Sequence, residues 1–122
     1  MRWLNLEIDT QGSTAPLDIV NQRMMAHNKH NLNTFLGTYS EDIQIYDYPR
    51  IPLGKRGKDH IKSIFEPLFA DGAVTTDIHY QIVQGNYVIN HETVLRRGEA
   101  YNYVSIYEVR DGLIQSVCFI KE

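Results

Sequence analysis

Between residues 16 and 36 apolar side chains return every three or four positions: Leu17, Val20 and Met24, with His27 continuing the row, then Leu32, Phe35 and Leu36. That spacing lays them along one side of a 3.6-residue helix, and the polar run Asn28-Lys29-His30-Asn31 divides it, so the pattern predicts two helices separated by a turn. Pro16 suits a first helical turn, where its missing N–H costs nothing. Residues 1–15 are therefore read as an N-terminal arm and 16–122 as the folded domain. Ile43-Gln44-Ile45-Tyr46-Asp47 alternates with period two and stops before Pro49, which predicts a short strand with Ile43, Ile45 and Asp47 on one face. The stretch Ile51 to Gly57, with Pro52 and Gly54, reads as a loop. Asp59 to Phe69 returns to helical spacing through Ile61, Ile64, Phe65, Leu68 and Phe69, with Pro67 kinking this third helix or marking its last turn.

From Thr75 onward the period changes to two, and strands are predicted over 77–84, 86–96, 99–109 and 113–120. Gly85-Asn86, Arg97-Gly98 and Asp111-Gly112 are the turn pairs of tight hairpins, so the sheet is expected to be antiparallel and the fold class α+β. Hairpin geometry then sets the register. A two-residue turn at Arg97-Gly98 pairs Arg96 with Glu99, Val94 with Tyr101, Glu92 with Tyr103 and Asn90 with Ser105. A two-residue turn at Gly85-Asn86 pairs Gln84 with Tyr87, Gln81 with Asn90 and His79 with Glu92.

Composition narrows the partners. At 122 residues and 43% apolar content the chain makes one core. A net charge of −3 from scattered acids and bases offers no basic stripe for nucleic acid and no polybasic membrane anchor. The N-terminal stretch mixes Trp3, Leu4, Leu6 and Ile8 with Arg2, Glu7 and Asp9, unlike a signal peptide or spanning helix, and Cys118 is the one cysteine; a cytoplasmic location is expected. His27, His30, His60, His79 and His91 have no metal-ligand spacing, so no metal and no cofactor are expected. His27 and His30 read as surface residues near a helix end.

The order helix, helix, strand, helix, four strands, with Tyr39-Ser40-Glu41-Asp42-Ile43-Gln44-Ile45-Tyr46-Asp47 ahead of Gly57-Lys58-Asp59-His60-Ile61 and a terminal Val109-Arg110-Asp111-Gly112-Leu113-Ile114, resembles the nuclear-transport-factor-2-like superfamily over residues 17–120. Ketosteroid isomerases and SnoaL-type polyketide cyclases belong to it. The resemblance implies a cone: a curved sheet wraps the helices, its concave face lines a pocket, and its convex face makes a homodimer. Asp47 matches the place of the isomerases' catalytic base at the end of the first strand. Arg23 stands where they carry a tyrosine donor, and Ser105 where they carry a protonated aspartic acid.

Placing Ser105 in the pocket puts Asp47, His79, Gln81, Asn90, Glu92, Tyr101 and Tyr103 on the same concave face, with Phe65 and Phe119 among its apolar walls. A one-residue slip would exchange that face for Tyr80, Ile82, Tyr87, Ile89, Val104 and Ile106. Two functions stay open. In one, Asp47, or Glu92 coupled to His79, abstracts a proton from a small apolar carbonyl compound while Arg23, Asn90 or Tyr103 stabilises the oxyanion. In the other, Asp47 only caps its loop, Glu92 and His79 form a cross-strand pair, and the domain binds a ligand or dimerises without catalysis.

Overall fold

The computed structural model describes residues 13–122; most of the predicted arm lies outside them. Helix α1 runs Pro16–Asn28 with the proline in its first turn, and α2 runs Leu32–Gly37, where the Asn31 side chain caps the helix by accepting from Thr34 N at 3.2 Å. Strand β1 is Tyr39–Asp47 and α3 is Lys58–Ala70, with Pro67 in its last turn. The long strands follow as β3 (Val74–Gln84), β4 (Tyr87–Arg96), β5 (Glu99–Arg110) and β6 (Leu113–Lys121). One piece of the expected loop pairs: β2, Ile51–Pro52, lies antiparallel to the end of β1.

The three hairpins form at the expected turns. Arg97, Gly98, Asp111 and Gly112 all have positive φ, as two-residue turns that match strand twist require. Every β4–β5 pair inferred from the turns is observed, as are Gln84 with Tyr87 and Gln81 with Asn90. His79 is the exception. A bulge between Ile78 and Tyr80 places Ile78, not His79, opposite Glu92, because the extra residue shifts the register beyond it.

The sheet is mixed rather than purely antiparallel. Its order is β2-β1-β6-β5-β4-β3, and β1 pairs with β6 in parallel, Ile45 beside Val117 and Asp47 beside Phe119. Hairpin signals report only strands joined by tight turns; the β1–β6 neighbourhood is a long-range closure that no local turn encodes. The curved sheet holds the helices in its hollow. Phe35, Val20, Ile43, Val88, Tyr107 and Ile114 are fully buried at that interface; Phe65 and Phe69 pack edge to face with the ring of His27, and Phe35 packs tilted against it. His27 is thus a core residue, not a surface one, and His30 is half-buried, donating from Nε2 to Val74 O at 2.7 Å. Burial settles the sheet faces as well. Val88, Asn90, Glu92 and Ser105 are buried on the concave side, whereas Tyr80, Ile82 and Tyr87 are exposed on the convex one. Among the described residues no helix is long and apolar enough to cross a membrane.

Candidate functional site

Helix α1 buries one stripe made of Ile19, Val20, Arg23, Met24, Ala26 and His27. Two of those six positions are polar, and both face a cavity of 340 Å³ between α1, α3 and the concave sheet. Apolar side chains make most of its wall, among them Ile45, Phe65, Leu68, Val94, Val117 and Phe119. The most deeply buried polar side chains, Arg23, His27, Tyr39 and Glu92, gather at its floor.

Arg23, 5% exposed, donates from Nε to the Tyr39 hydroxyl at 2.7 Å, and its guanidinium lies over the rings of Phe35 and Tyr107 at 5.0 and 5.4 Å. Burial opposes its charge, but Tyr107, Tyr39 and Glu92 around it more than offset this, so Arg23 stays protonated. Tyr39 accepts the Arg23 N–H and therefore keeps its own O–H proton to give. Burial raises the phenol above its ordinary range despite Arg23, which fixes it as a donor.

Glu92, 2% exposed, comes from the centre of β4. Its Oε1 accepts from Ser105 Oγ across the β4–β5 ladder at 2.5 Å. Its Oε2 is buried and has no hydrogen-bond partner among the described residues. Burial pushes this carboxyl above the ordinary glutamate value, and Arg23, Ser105 and Asn90 pull it only part of the way back. Arg23 and Glu92 thus feel each other through the cavity without forming an ion pair. A buried carboxylate oxygen without a partner is expensive, and Glu92 is one of the residues that line the cavity.

His27 completes the floor. Its Nδ1 lies 3.1 Å from Asn28 Oδ1, an atom that also accepts from Thr76 N at 2.8 Å. The amide oxygen can only accept, so Nδ1 carries the proton and Nε2 is left as an acceptor. Burial, then Arg23, lowers the His27 pKa to about 3, so the ring is neutral.

A model of the SnoaL-like domain matches residues 20–117. The chain belongs to the SnoaL-like family. With it comes membership of the nuclear-transport-factor-2-like superfamily, whose solved structures share this fold. An NTF2-like protein of unknown function from Cytophaga hutchinsonii ATCC 33406 is 17% identical, with a TM-score of 0.76 over 88% of this chain and 89% of its own. An uncharacterised cystatin-fold protein from Novosphingobium aromaticivorans is 20% identical, with a TM-score of 0.78 over 88% of this chain and 98% of its own. An LEH-like epoxide hydrolase of M. tuberculosis is 18% identical, with a TM-score of 0.74 over 91% of this chain and 85% of its own. At these identities the likeness is one of fold. No curated protein matches the chain significantly.

Within this SnoaL-like domain the residues singled out from the sequence separate into four groups. Arg23, Glu92, Tyr103, Phe65 and Phe119 line the cavity. Ser105 and Asn90 lie behind it: Ser105 holds Glu92, and Asn90 Oδ1 accepts from Gln81 Nε2 at 2.8 Å. Asp47 sits at the opening, outside the lining, with Oδ1 3.0 Å from Lys121 Nζ and its side chain 34% exposed. His79 is elsewhere. The bulge turns it to the exposed side, where Nε2 meets Thr93 Oγ1 at 2.7 Å and the ring stands 5.5 Å from that of His91, so it cannot couple to Glu92. Tyr39, His27, His60, Arg96 and Lys121 line the cavity without having been anticipated. For His27 the signal was present, because it stands four residues from Arg23 on the buried stripe of α1. Among the described residues no cluster of three or more His, Cys, Asp or Glu is placed to hold a metal ion.

Proposed function

We propose that this SnoaL-like domain is an acid–base enzyme acting on a small, mostly apolar molecule with a carbonyl oxygen, with Glu92 as the base and Tyr39 and Arg23 as the oxyanion donors. The observation that carries this reading is the unpartnered Oε2 of buried Glu92 in the same cavity as a tyrosine whose hydroxyl accepts from Arg23. The carbonyl oxygen points to the Tyr39 O–H, polarised by the guanidinium behind it. Glu92 takes the proton from the adjacent carbon, and the C–H electron pair moves through the new C=C bond onto oxygen. The enolate oxygen is held by Tyr39 and Arg23 until the proton returns from Glu92 to carbon. A carboxyl raised by burial is a stronger base than one in water, and preorganised donors in a dry site stabilise developing charge. The chain supplies every group the step needs.

The test is α-proton exchange of 2-tetralone in D2O, followed by NMR. Exchange above the buffer rate is expected with the wild type, a fall of about 100-fold or more with Glu92→Gln, and a smaller fall with Tyr39→Phe. On this reading Asp47→Asn leaves exchange within a few-fold; a loss there as large as that of Glu92→Gln transfers the base role to Asp47. Exchange no faster than buffer, or unaltered by Glu92→Gln, removes the proposal.

The same reading includes a homodimer through the convex face, where Tyr80 is 73% and Ile82 60% exposed beside Tyr87. Apolar surface of this kind on a sheet is what a second copy covers. A monomer by sedimentation at micromolar concentration would count against it.

A further inference from the structure

The charge around the cavity runs against the charge of the chain. The protein carries −3 overall, yet the cavity lining holds Arg23, Arg96 and Lys121 against one acid, Glu92. Counting Asp47, which pairs with Lys121 from outside the lining, and taking both carboxyls as ionised, the balance at the site is still positive. Removing cations from water without neutralising them is unfavourable, and a bound anion is one way to neutralise them.

Depth sorts these cations. Arg23 is at the floor and already serves Tyr39. Lys121, with 45% of its side chain exposed, and half-buried Arg96 are at the opening. Arg96 is held in a built position: Nη2 donates to the Tyr103 hydroxyl at 3.2 Å, and the guanidinium lies 4.8 Å from the centre of the Tyr101 ring. Among the described residues no acidic side chain reaches ion-pairing distance of it. Glu99 is its cross-strand neighbour, but that carboxylate is taken by the Tyr101 hydroxyl at 2.7 Å. Tyr103 pairs across β5–β6 with Lys121, so the bond that draws Arg96 to Tyr103 brings both cations to one side of the opening. The remaining N–H groups of Arg96 form the planar fork that fits a carboxylate. Glu92 and Arg96 lie four residues apart on the same face of β4, so floor and rim are separated by about 13 Å of strand with apolar Val94 between them.

We infer that the molecule this cavity takes is an amphiphilic carboxylate, its apolar body in the hollow and its anionic end held at the opening by Arg96 with Lys121 beside it. The inner end, where an oxygen meets Tyr39 and Arg23, rests on the function proposed above; the outer end stands on the geometry of Arg96. This departs from the small apolar carbonyl compound expected from the sequence, because an overall charge averages over a surface that the ligand never meets.

The experiment compares a chain-length series of ω-benzoyl alkanoic acids with their methyl esters, by isothermal titration calorimetry on the intact protein at neutral pH and low salt. At least one acid should bind about tenfold or more tightly than its own ester, with the preference shrinking as salt is added. Arg96→Gln should weaken that acid about tenfold and its ester by no more than about twofold. Lys121→Gln, at the exposed end of the last strand, should give a smaller loss of the same kind and guards against a folding defect in the first variant. An acid bound no better than its ester, no binding by any member at millimolar concentration, or equal losses for acid and ester in both variants would overturn the inference. Glu92→Gln separates the two readings. The acid-over-ester preference should survive it, whereas α-proton exchange should vanish, so either can fail without the other.

Discussion

His27 ties the fold to pH in a way that a single variant exposes. Its ring is 2% exposed among Phe35, Phe65 and Phe69, with Arg23 on its own helix and His30 and Arg96 near enough to add repulsion. Burial, with these cations, lowers its pKa from 6.5 to about 3. Between those values the unfolded chain binds a proton that the folded chain refuses, so the stability from neutral His27 is complete above pH 6.5 and lost as pH falls toward 3. Linkage gives a loss of about 2 kcal/mol between pH 7 and pH 5, and about 3 by pH 4. Glu92 works in the opposite direction. Its folded-state pKa is raised, so its contribution is full below the ordinary value of 4.5 and is lost as pH rises through the folded-state pKa.

The two groups therefore oppose each other across the weakly acidic range, and variants separate them. His27→Phe keeps a ring in the aromatic cluster and removes the titration. Urea unfolding of wild type and variant at pH 5, 6 and 7, followed by far-UV circular dichroism, measures the difference in stability at each pH. That difference should move by about 2 kcal/mol in favour of the variant between pH 7 and pH 5. Glu92→Gln should do the reverse and relieve the loss of stability as pH rises. A wild-type-minus-variant difference constant to within about 0.5 kcal/mol over this range would refute a neutral His27 in the core, as would an imidazole resonance titrating near its ordinary pKa.

Ser105→Ala removes the one hydrogen bond to Glu92 Oε1 and should cost about 1–3 kcal/mol by thermal or urea unfolding. It should also raise the carboxyl's pKa, moving the acid limb of the exchange profile to higher pH. Asn28→Ala breaks both bonds from this side chain to the Thr76 backbone, at 2.9 and 2.8 Å, and with them the tie between α1 and β3; a loss of about 1–3 kcal/mol in urea unfolding is expected. Gly54→Ala introduces a side chain at φ +70° and against the His60 ring. It should lower stability by about 1 kcal/mol or more and weaken binding of the benzoyl acids by displacing His60 from the cavity wall.

The elements were legible where a local rule set them: hairpin turns fixed by glycine positions, helices fixed by apolar spacing, and the β4–β5 register that follows from one two-residue turn. That register put Glu92, Asn90 and Ser105 on one face, and the match of Ser105 to the isomerase pattern chose that face as the buried one. What failed was whatever depends on partners far along the chain. The bulge at Ile78–Tyr80 carries no glycine or proline to announce it, and skipping one residue was enough to send His79 to the opposite face. The parallel β1–β6 pairing has no turn to mark it, so nothing local said that Asp47 would lie beside Phe119 and reach Lys121 at the rim. Arg96 was missed for another reason. It adjoins a turn, where an arginine ordinarily decorates the surface, and only the fold shows the Tyr101 and Tyr103 side chains that turn it inward.

The hydrogen-bonded polar groups around the core divide by what the fold would do without them. Asn28, Ser105 and the Asn90–Gln81 pair satisfy partners, and their removal would leave those partners unpaired. Arg23 and Glu92 are different. Each is almost wholly buried, the two form no ion pair, and Glu92 Oε2 has no hydrogen-bond partner among the described residues. Apolar residues of similar size would pack this volume at lower free energy, since a buried charge that is not closely paired is rarely stabilising. A chain of this size has about 5–15 kcal/mol of net stability to set against such groups. Their presence on the wall of a hollow, beside a phenol proton, is the pattern expected where stability has been given up for binding or chemistry.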